Sequence, residues 1–247
     1  MIILRYLVIA LAIYSVLPAS AETLTIAVAS NFKSSLVKLV DSEQFNFDHE
    51  VRISSGATGS IYTQIVNGAP FDVFLAADTE RPKLLENKKL ISPGSRKIYA
   101  IGQLVLWAPD ASTPVDEQYL KSFNGNLAIA NPQTAPYGLA AHTLLKHLNI
   151  ENPRIITGEN IAQAYQFVHT GNAQAGLVAL SQIIDQDIEP FFYWPIPQQY
   201  YKPIEQQVVI LNSSPASIEF MDYLVSGAAR KIISESGYQV PGSPNRD

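Results

Sequence analysis

What most constrains this chain is a strand–helix alternation that runs twice, with one apolar stretch leading out of the first run and another leading back to it. Thr23 to Ala29 reads as a buried strand, followed by a helical pattern from Asn31 to about Glu43 with Leu36, Val37 and Val40 on its inner face. Val51 to Ser54 is a second strand, and Gly59 to Asn67 a helix with Ile61, Ile65 and Val66 inward. Phe71 to Ala76 and Thr79 to Asn87 repeat the pair. Alternation this close means βαβ units and a parallel sheet. A long apolar strand follows from Lys97 to Ala108, ended by Pro109. The second run pairs strand Leu127 to Ala130 with helix Tyr137 to Leu148, then strand Arg154 to Thr157 with helix Ile161 to Thr170. It finishes with strand Ala175 to Ala179, a helical turn at Ser181 to Ile184 and an edge strand from Phe191 to Trp194. Ile204 to Leu211 is the returning strand, and Pro215 to Ser236 is helical with a break near Gly227. Pro241, Gly242 and Pro244 end this in a tail expected to fray. The pattern predicts two α/β lobes, 22–100 with 203–247 and 101–202, joined by two crossovers around a hinged cleft. A single continuous sheet is the competing arrangement.

The first residues stand outside that pattern. Arg5 supplies a positive charge, Tyr6 to Leu17 is apolar but short for a bilayer, and Ala19-Ser20-Ala21 is a small-x-small cleavage site. These are the parts of a secretory signal peptide, with cleavage expected after Ala21; an N-terminal membrane anchor is the alternative. The chain of 247 residues has no cysteine, which excludes disulfides, thiolate nucleophiles, cysteine metal sites and a lipidated N-terminal cysteine. A soluble periplasmic protein is expected. A net charge of −5 argues against a nucleic-acid or acidic-membrane partner. It says little about a small anion, because local dipoles govern a buried site.

Four junctions share one design, in which a buried strand runs through small or hydroxyl residues into a helix start. The first is Ala29-Ser30-Asn31-Phe32, where Ser30 reads as an N-cap whose hydroxyl could serve helix or ligand. The second is Ser54-Ser55-Gly56-Ala57-Thr58-Gly59, whose glycines permit close approach and whose Thr58 offers a hydroxyl and an amide. The third is Asn131-Pro132-Gln133-Thr134-Ala135-Pro136-Tyr137-Gly138. Pro136 suits the first helical position, which leaves the amides of Tyr137 and Gly138 at the positive end of a helix dipole. The fourth is Thr157-Gly158-Glu159-Asn160-Ile161, where Asn160 caps a helix and the Ile161 amide stays free. Each junction alone reads as a plain cap. Together they lie beyond the carboxyl ends of strands, where open α/β sheets bind ligands. None contains Lys or Arg, and Glu159 is expected to point outward. Amides and hydroxyls satisfy a fully deprotonated oxyanion and penalise a protonated one by ~1–3 kcal/mol. That favours molybdate-, tungstate- or sulfate-like dianions over phosphate.

With Gln64-Ile65-Val66-Asn67-Gly68-Ala69-Pro70-Phe71-Asp72-Val73-Phe74-Leu75-Ala76-Ala77-Asp78 and Gly171-Asn172-Ala173-Gln174-Ala175-Gly176-Leu177-Val178, these motifs resemble the periplasmic molybdate-binding proteins of ABC importers. The resemblance covers nearly the whole chain after the leader. It implies a type II periplasmic-binding fold and no enzymatic activity. It implies no cofactor, an inner-membrane ABC permease as partner, and a monomer. It also implies oxyanion ligation by Ser30 through its hydroxyl, Asn31 through its amide and Thr58 through both. Tyr137 and Ile161 would add their amides. The chain departs from many members at Ala179, where a tyrosine hydroxyl binds the anion, so the ranking of molybdate, tungstate and sulfate stays open.

Other constellations read as structural. His49, His142, His147 and His169 include no i, i+4 pair, and no Gly-x-Ser-x-Gly elbow occurs. Asp72 and Asp78 bracket a strand and fit loop roles better than a carboxylate pair. Phe191-Phe192-Tyr193-Trp194 fits packing better than a sugar platform. The rival functions are capture of another oxyanion such as sulfate, an enzyme on the same fold, and a ligand-sensing regulatory domain. The last two lack, respectively, a cysteine and a DNA-binding segment.

Overall fold

The backbone divides the stretch from Lys97 to Ala108 between two sheets. The structure, a computed structural model, describes residues 22–241, so the expected leader at 1–21 and the tail from 242 lie outside the described residues. The first run forms β1 (Thr23–Ala29), α1 (Lys33–Val40), β2 (Glu50–Gly56), α2 (Thr58–Val66), β3 (Val73–Ala76), α3 (Glu80–Asn87) and β4 (Lys97–Gly102). The second forms β5 (Leu104–Trp107), α4 (Glu117–Ser122), β6 (Asn126–Ala130), α5 (Pro136–His147), β7 (Arg154–Gly158), α6 (Ile161–His169), β8 (Ala175–Ala179) and β9 (Tyr193–Pro195). The chain returns through β10 (Ile204–Ile210) and closes with α7 (Pro215–Leu224) and α8 (Gly227–Glu235).

Two five-stranded sheets result, ordered β2-β1-β3-β10-β4 and β7-β6-β8-β5-β9. Each holds a parallel trio, β2-β1-β3 and β7-β6-β8. Next to each trio lies an antiparallel strand that has just crossed from the other side of the molecule: β10 beside β3, and β5 beside β8. Two α/β lobes joined by two crossovers therefore replace the single-sheet alternative. The outgoing crossover is Gln103 alone. Its side-chain nitrogen donates to the Ile196 carbonyl at 2.7 Å and to the Tyr201 hydroxyl at 3.1 Å, and its carbonyl accepts the Leu180 amide at 2.9 Å. The single long strand expected there is thus two strands. Apolar alternation cannot report that a strand has changed partners.

The first sheet is covered on both faces. On one, Leu24, Ile26 and Val28 pack with Leu36, Leu39, Phe220 and Ile233; on the other, Ala27 and Phe74 pack with Ile61, Ile65 and Leu85. Phe32 is fully buried and meets the rings of Tyr99 and Tyr238 edge-on, at centroid distances of 4.7 and 5.2 Å. Two inner faces differ from expectation. Leu36 and Leu39 face inward in α1 while Val37 turns outward, and in α2 Val66 is exposed beside buried Ile61 and Ile65. Both valines lie one position off the buried stripe, where the 100° helical step carries them to the solvent edge.

Helix α4 has no counterpart in the sequence reading, although Asp116 caps it by accepting the Tyr119 amide at 2.7 Å. The expected edge strand at Phe191 to Trp194 begins later, because Pro190–Phe192 forms a 3-10 turn. Tyr193 and Trp194 pack on the second core. The C-terminal helix breaks at Val225–Ser226, where Ser226 caps α8. Phe32→Ala should remove about 3–5 kcal/mol of stability by opening a cavity between β1 and α1. Urea unfolding of the ligand-free protein measures this.

Candidate functional site

The five residues singled out by sequence line one small pocket. Ser30, Asn31, Gly56, Thr58 and Ala77 come from the first lobe, and Ala135, Pro136, Tyr137 and Ile161 from the second. Strands β1, β2 and β3 end on one side of it and β6 and β7 on the other, so the pocket sits where the carboxyl ends of two parallel trios face each other. No charged side chain lines it.

Each wall follows from local chemistry. Helix α1 starts at Lys33 with Phe32 as its cap, and Phe32 makes no side-chain capping bond. Ser30 is therefore not the cap it was expected to be. Its amide donates to the Gly56 carbonyl at 2.9 Å, and no described residue engages its hydroxyl. Thr58, 1% exposed, opens α2. Its Oγ1 accepts the Ala77 amide at 3.1 Å. That bond uses one lone pair of the hydroxyl, and no described residue takes its proton. Pro136 is the first residue of α5, as expected. Gly138 lets that helix start seat closely on β6, since a Cβ there would fall 2.4 Å from the Ala130 carbonyl oxygen. Asn160 caps α6 as expected, accepting the Ala162 and Gln163 amides at 3.0 and 3.1 Å, which leaves Ile161 uncapped. No described backbone carbonyl accepts from the amides of Asn31, Thr58, Tyr137 or Ile161. Three helices, α2, α5 and α6, thus turn their positive ends and their unused donors to one point. Glu159 is exposed, as expected.

Beneath the pocket lies a polar seam that sequence reasoning missed. Gln206 is fully buried in β10; its Oε1 accepts from Asn31 Nδ2 at 2.9 Å and from the Tyr99 hydroxyl at 3.0 Å. Its Nε2 approaches the Tyr137 hydroxyl at 3.4 Å, across the lobes. The Asn31 carbonyl accepts from Tyr238 at 2.8 Å and from Ser181, a residue of the second lobe, at 3.1 Å. Asn31 and Tyr137 are thus held from behind, which orients their amides toward the pocket. The one signal available in sequence was a glutamine inside the buried stretch Ile204 to Ile210, since a buried polar side chain needs partners. Ala179 is fully buried and outside the pocket.

The carboxylates and histidines take no part. Asp72 accepts the Thr25 amide at 2.7 Å and Asn212 Nδ2 at 2.9 Å, while Asp78 pairs with Arg81 at 2.6 Å. Among the described residues no cluster could hold a metal ion directly.

Burial raises Tyr99, Tyr137 and Tyr238 above the ordinary tyrosine value of 10.0, so all three remain hydroxyl donors at neutral pH. The unfolded chain ionises its tyrosines above that value while the folded seam resists. Stability should be full below pH 10.0 and fall as pH rises beyond it, and Tyr99→Phe should flatten the decline. Denaturant melts from pH 8 to pH 11, approximately spanning that tyrosine value, measure the effect.

Residues 24–239 match the family described as bacterial extracellular solute-binding protein. The molybdate-binding protein ModA of Rhodobacter capsulatus is 40% identical over 229 residues, covering 90% of each chain. The solved periplasmic molybdate-binding protein of Azotobacter vinelandii superposes with a TM-score of 0.82 at 38% identity, over 88% of this chain and 99% of that one. The sulfate-binding protein SubI of Mycobacterium tuberculosis shares the fold alone, at 13% identity and a TM-score of 0.67 over 90% of this chain and 88% of that one. The two-lobed, two-crossover plan is the type II periplasmic-binding fold that the sequence led us to expect, and the relatives are binding proteins, not enzymes. With its lobes, its crossovers and a matched span that runs from β1 through α8, the chain belongs to the bacterial extracellular solute-binding protein family.

Proposed function

We propose that this protein captures molybdate or tungstate in the periplasm and presents it to the permease of an ABC importer. The anion is cargo, and no cofactor or catalytic group is required. Ser30, Asn31, Thr58, Tyr137 and Ile161 are the proposed ligands, the first through its hydroxyl, Thr58 through hydroxyl and amide, and the others through amides. The observation that carries the reading is the donor set: the amides of Asn31, Thr58, Tyr137 and Ile161 and the hydroxyls of Ser30 and Thr58 meet on a pocket wall that has no charged side chain. A dianion can use all of them. A monohydrogen phosphate would bring an O–H to a pocket with no carboxylate to accept it, and a hydroxyl that turned to accept it would give up its own donation to the anion, a mismatch of ~1–3 kcal/mol. Similarity to two molybdate-binding proteins favours molybdate over sulfate.

The proposed lobes are 22–100 with 203–247 and 101–202, hinged at the crossovers near Gln103 and Pro203. Binding draws the two sets of amides together, and the permease reads the closed form. The working form is a monomer starting at Glu22 after cleavage behind Ala21, which intact mass and light scattering of exported protein test.

Calorimetric titration of the mature protein should show tight binding of molybdate and tungstate, weak binding of sulfate and none of phosphate. Phosphate binding, or silence with all four, would count against the reading. Ser30→Ala should weaken molybdate binding and leave the ligand-free melting temperature unchanged, because no described residue uses that hydroxyl. Thr58→Val should lower both, since it also orphans the Ala77 amide.

A further inference from the structure

The loop that leads into α5 has two working sides. Its end carries Pro136 and Tyr137 into the pocket, while its carbonyls face the first lobe. Asn131 folds it: Oδ1 accepts the Gln133 amide at 2.9 Å, and the Asn131 carbonyl accepts the amides of Thr134 and Ala135 at 3.3 and 2.9 Å. The carbonyls of Gln133 and Thr134 are left to find partners elsewhere. Both find them across the cleft. The Gly59 amide donates to the Thr134 carbonyl at 2.8 Å, and Arg81 Nη2 donates to the Gln133 carbonyl at 3.1 Å. Arg81 is held for this contact by Asp78, whose Oδ2 takes Nη1 at 2.6 Å and whose Oδ1 takes the Arg81 amide at 2.9 Å. Neither Gly59 nor Arg81 lines the anion pocket.

Gly59 follows Thr58 in α2. The free amides of that helix start are therefore divided, Thr58 toward the pocket and Gly59 toward the opposite lobe. A Cβ on Gly59 would lie 3.1 Å from both the α-carbon and the carbonyl oxygen of Thr134, so the backbone of the opposite lobe would have to give way. Helix propensity alone prefers alanine there. The glycine serves the approach of the lobes and not the helix.

We infer that Gly59 and Arg81 are positioning residues for anion capture, holding the lobes together through the Thr134 and Gln133 carbonyls and so setting how long the anion stays. They do so without touching it. The inference rests on the oxyanion-capture reading above. Both bonds span the cleft, so they form on closure and are lost to water on opening, and their removal falls on the dissociation rate.

The test compares wild type, Gly59→Ala, Arg81→Gln and Arg81→Lys by calorimetric titration with sodium molybdate, stopped-flow dissociation, ligand-free melting and small-angle scattering with and without molybdate. Gly59→Ala should keep or raise the ligand-free melting temperature while weakening molybdate binding roughly tenfold. Arg81→Gln should weaken it roughly 3- to 10-fold, through faster dissociation, with partial rescue by Arg81→Lys. In molybdate, Gly59→Ala should keep a larger radius of gyration than wild type. Wild-type affinity in Gly59→Ala and Arg81→Gln overturns the inference, and so does a loss of affinity matched by a loss of ligand-free melting temperature. If wild type itself ignores molybdate, the functional reading falls instead. Ligand-free scattering then decides whether these residues hold the lobes together, since a Gly59→Ala radius larger than wild type supports it and an equal one overturns it.

Discussion

Everything in this molecule turns on helix starts whose backbone amides have no partner inside the helix. An α-helix always leaves such donors at its N-terminus, and most proteins spend them on caps or water. Here the strand ends are arranged so that α2, α5 and α6 aim theirs at one pocket between two lobes. Asn160 caps α6 from its side, through Ala162 and Gln163, and so leaves the first amide open. Pro136 has no N–H to offer and hands the role to Tyr137. An acidic chain with a net charge of −5 can present a site suited to an anion because these dipoles act locally, while the net charge acts at long range and is screened.

Donors of this kind are useful only if they are held at the right spacing. The seam behind the pocket does that holding. Asn31 is gripped at its side chain by Gln206 and at its carbonyl by Tyr238 and Ser181, so its backbone has little freedom. Gln206 reaches toward Tyr137 on the other lobe, next to Gly102, where a Cβ would lie 2.0 Å from the Tyr137 hydroxyl. The pocket, the seam and the crossover are thus one packed unit. On the proposed opening of the lobes, the Tyr137 hydroxyl and the Gln206 amide would part and meet water, and closing would restore the network.

Much of this was legible in the sequence. The parallel trios follow from the alternation of short apolar runs with helical ones, and the pocket wall follows from small residues and hydroxyls at strand ends. The errors have specific causes. Lys97 to Ala108 reads as one strand because Gly102 and Gln103, where the chain changes sheet, interrupt its apolar run for only two residues. Val37 and Val66 look inward because hydrophobicity marks a stripe only to within one helical step. Ser30 looks like a cap because it precedes a helix, yet the helix begins three residues later.

By itself, then, the sequence determined the local elements, the two-lobed plan and the kind of donor available at each junction, since periodicity, proline at a helix start and the lack of charged residues are all properties of short segments. Only the tertiary structure decided which donors meet, which of them the chain consumes, and what steadies the rest. Thr58 accepts the Ala77 amide, Gly59 gives its amide to Thr134, and Gln206 joins Asn31 to the far lobe. Those are contacts between residues distant in sequence. No local pattern encodes them, because they exist only once the two sheets have folded and faced each other.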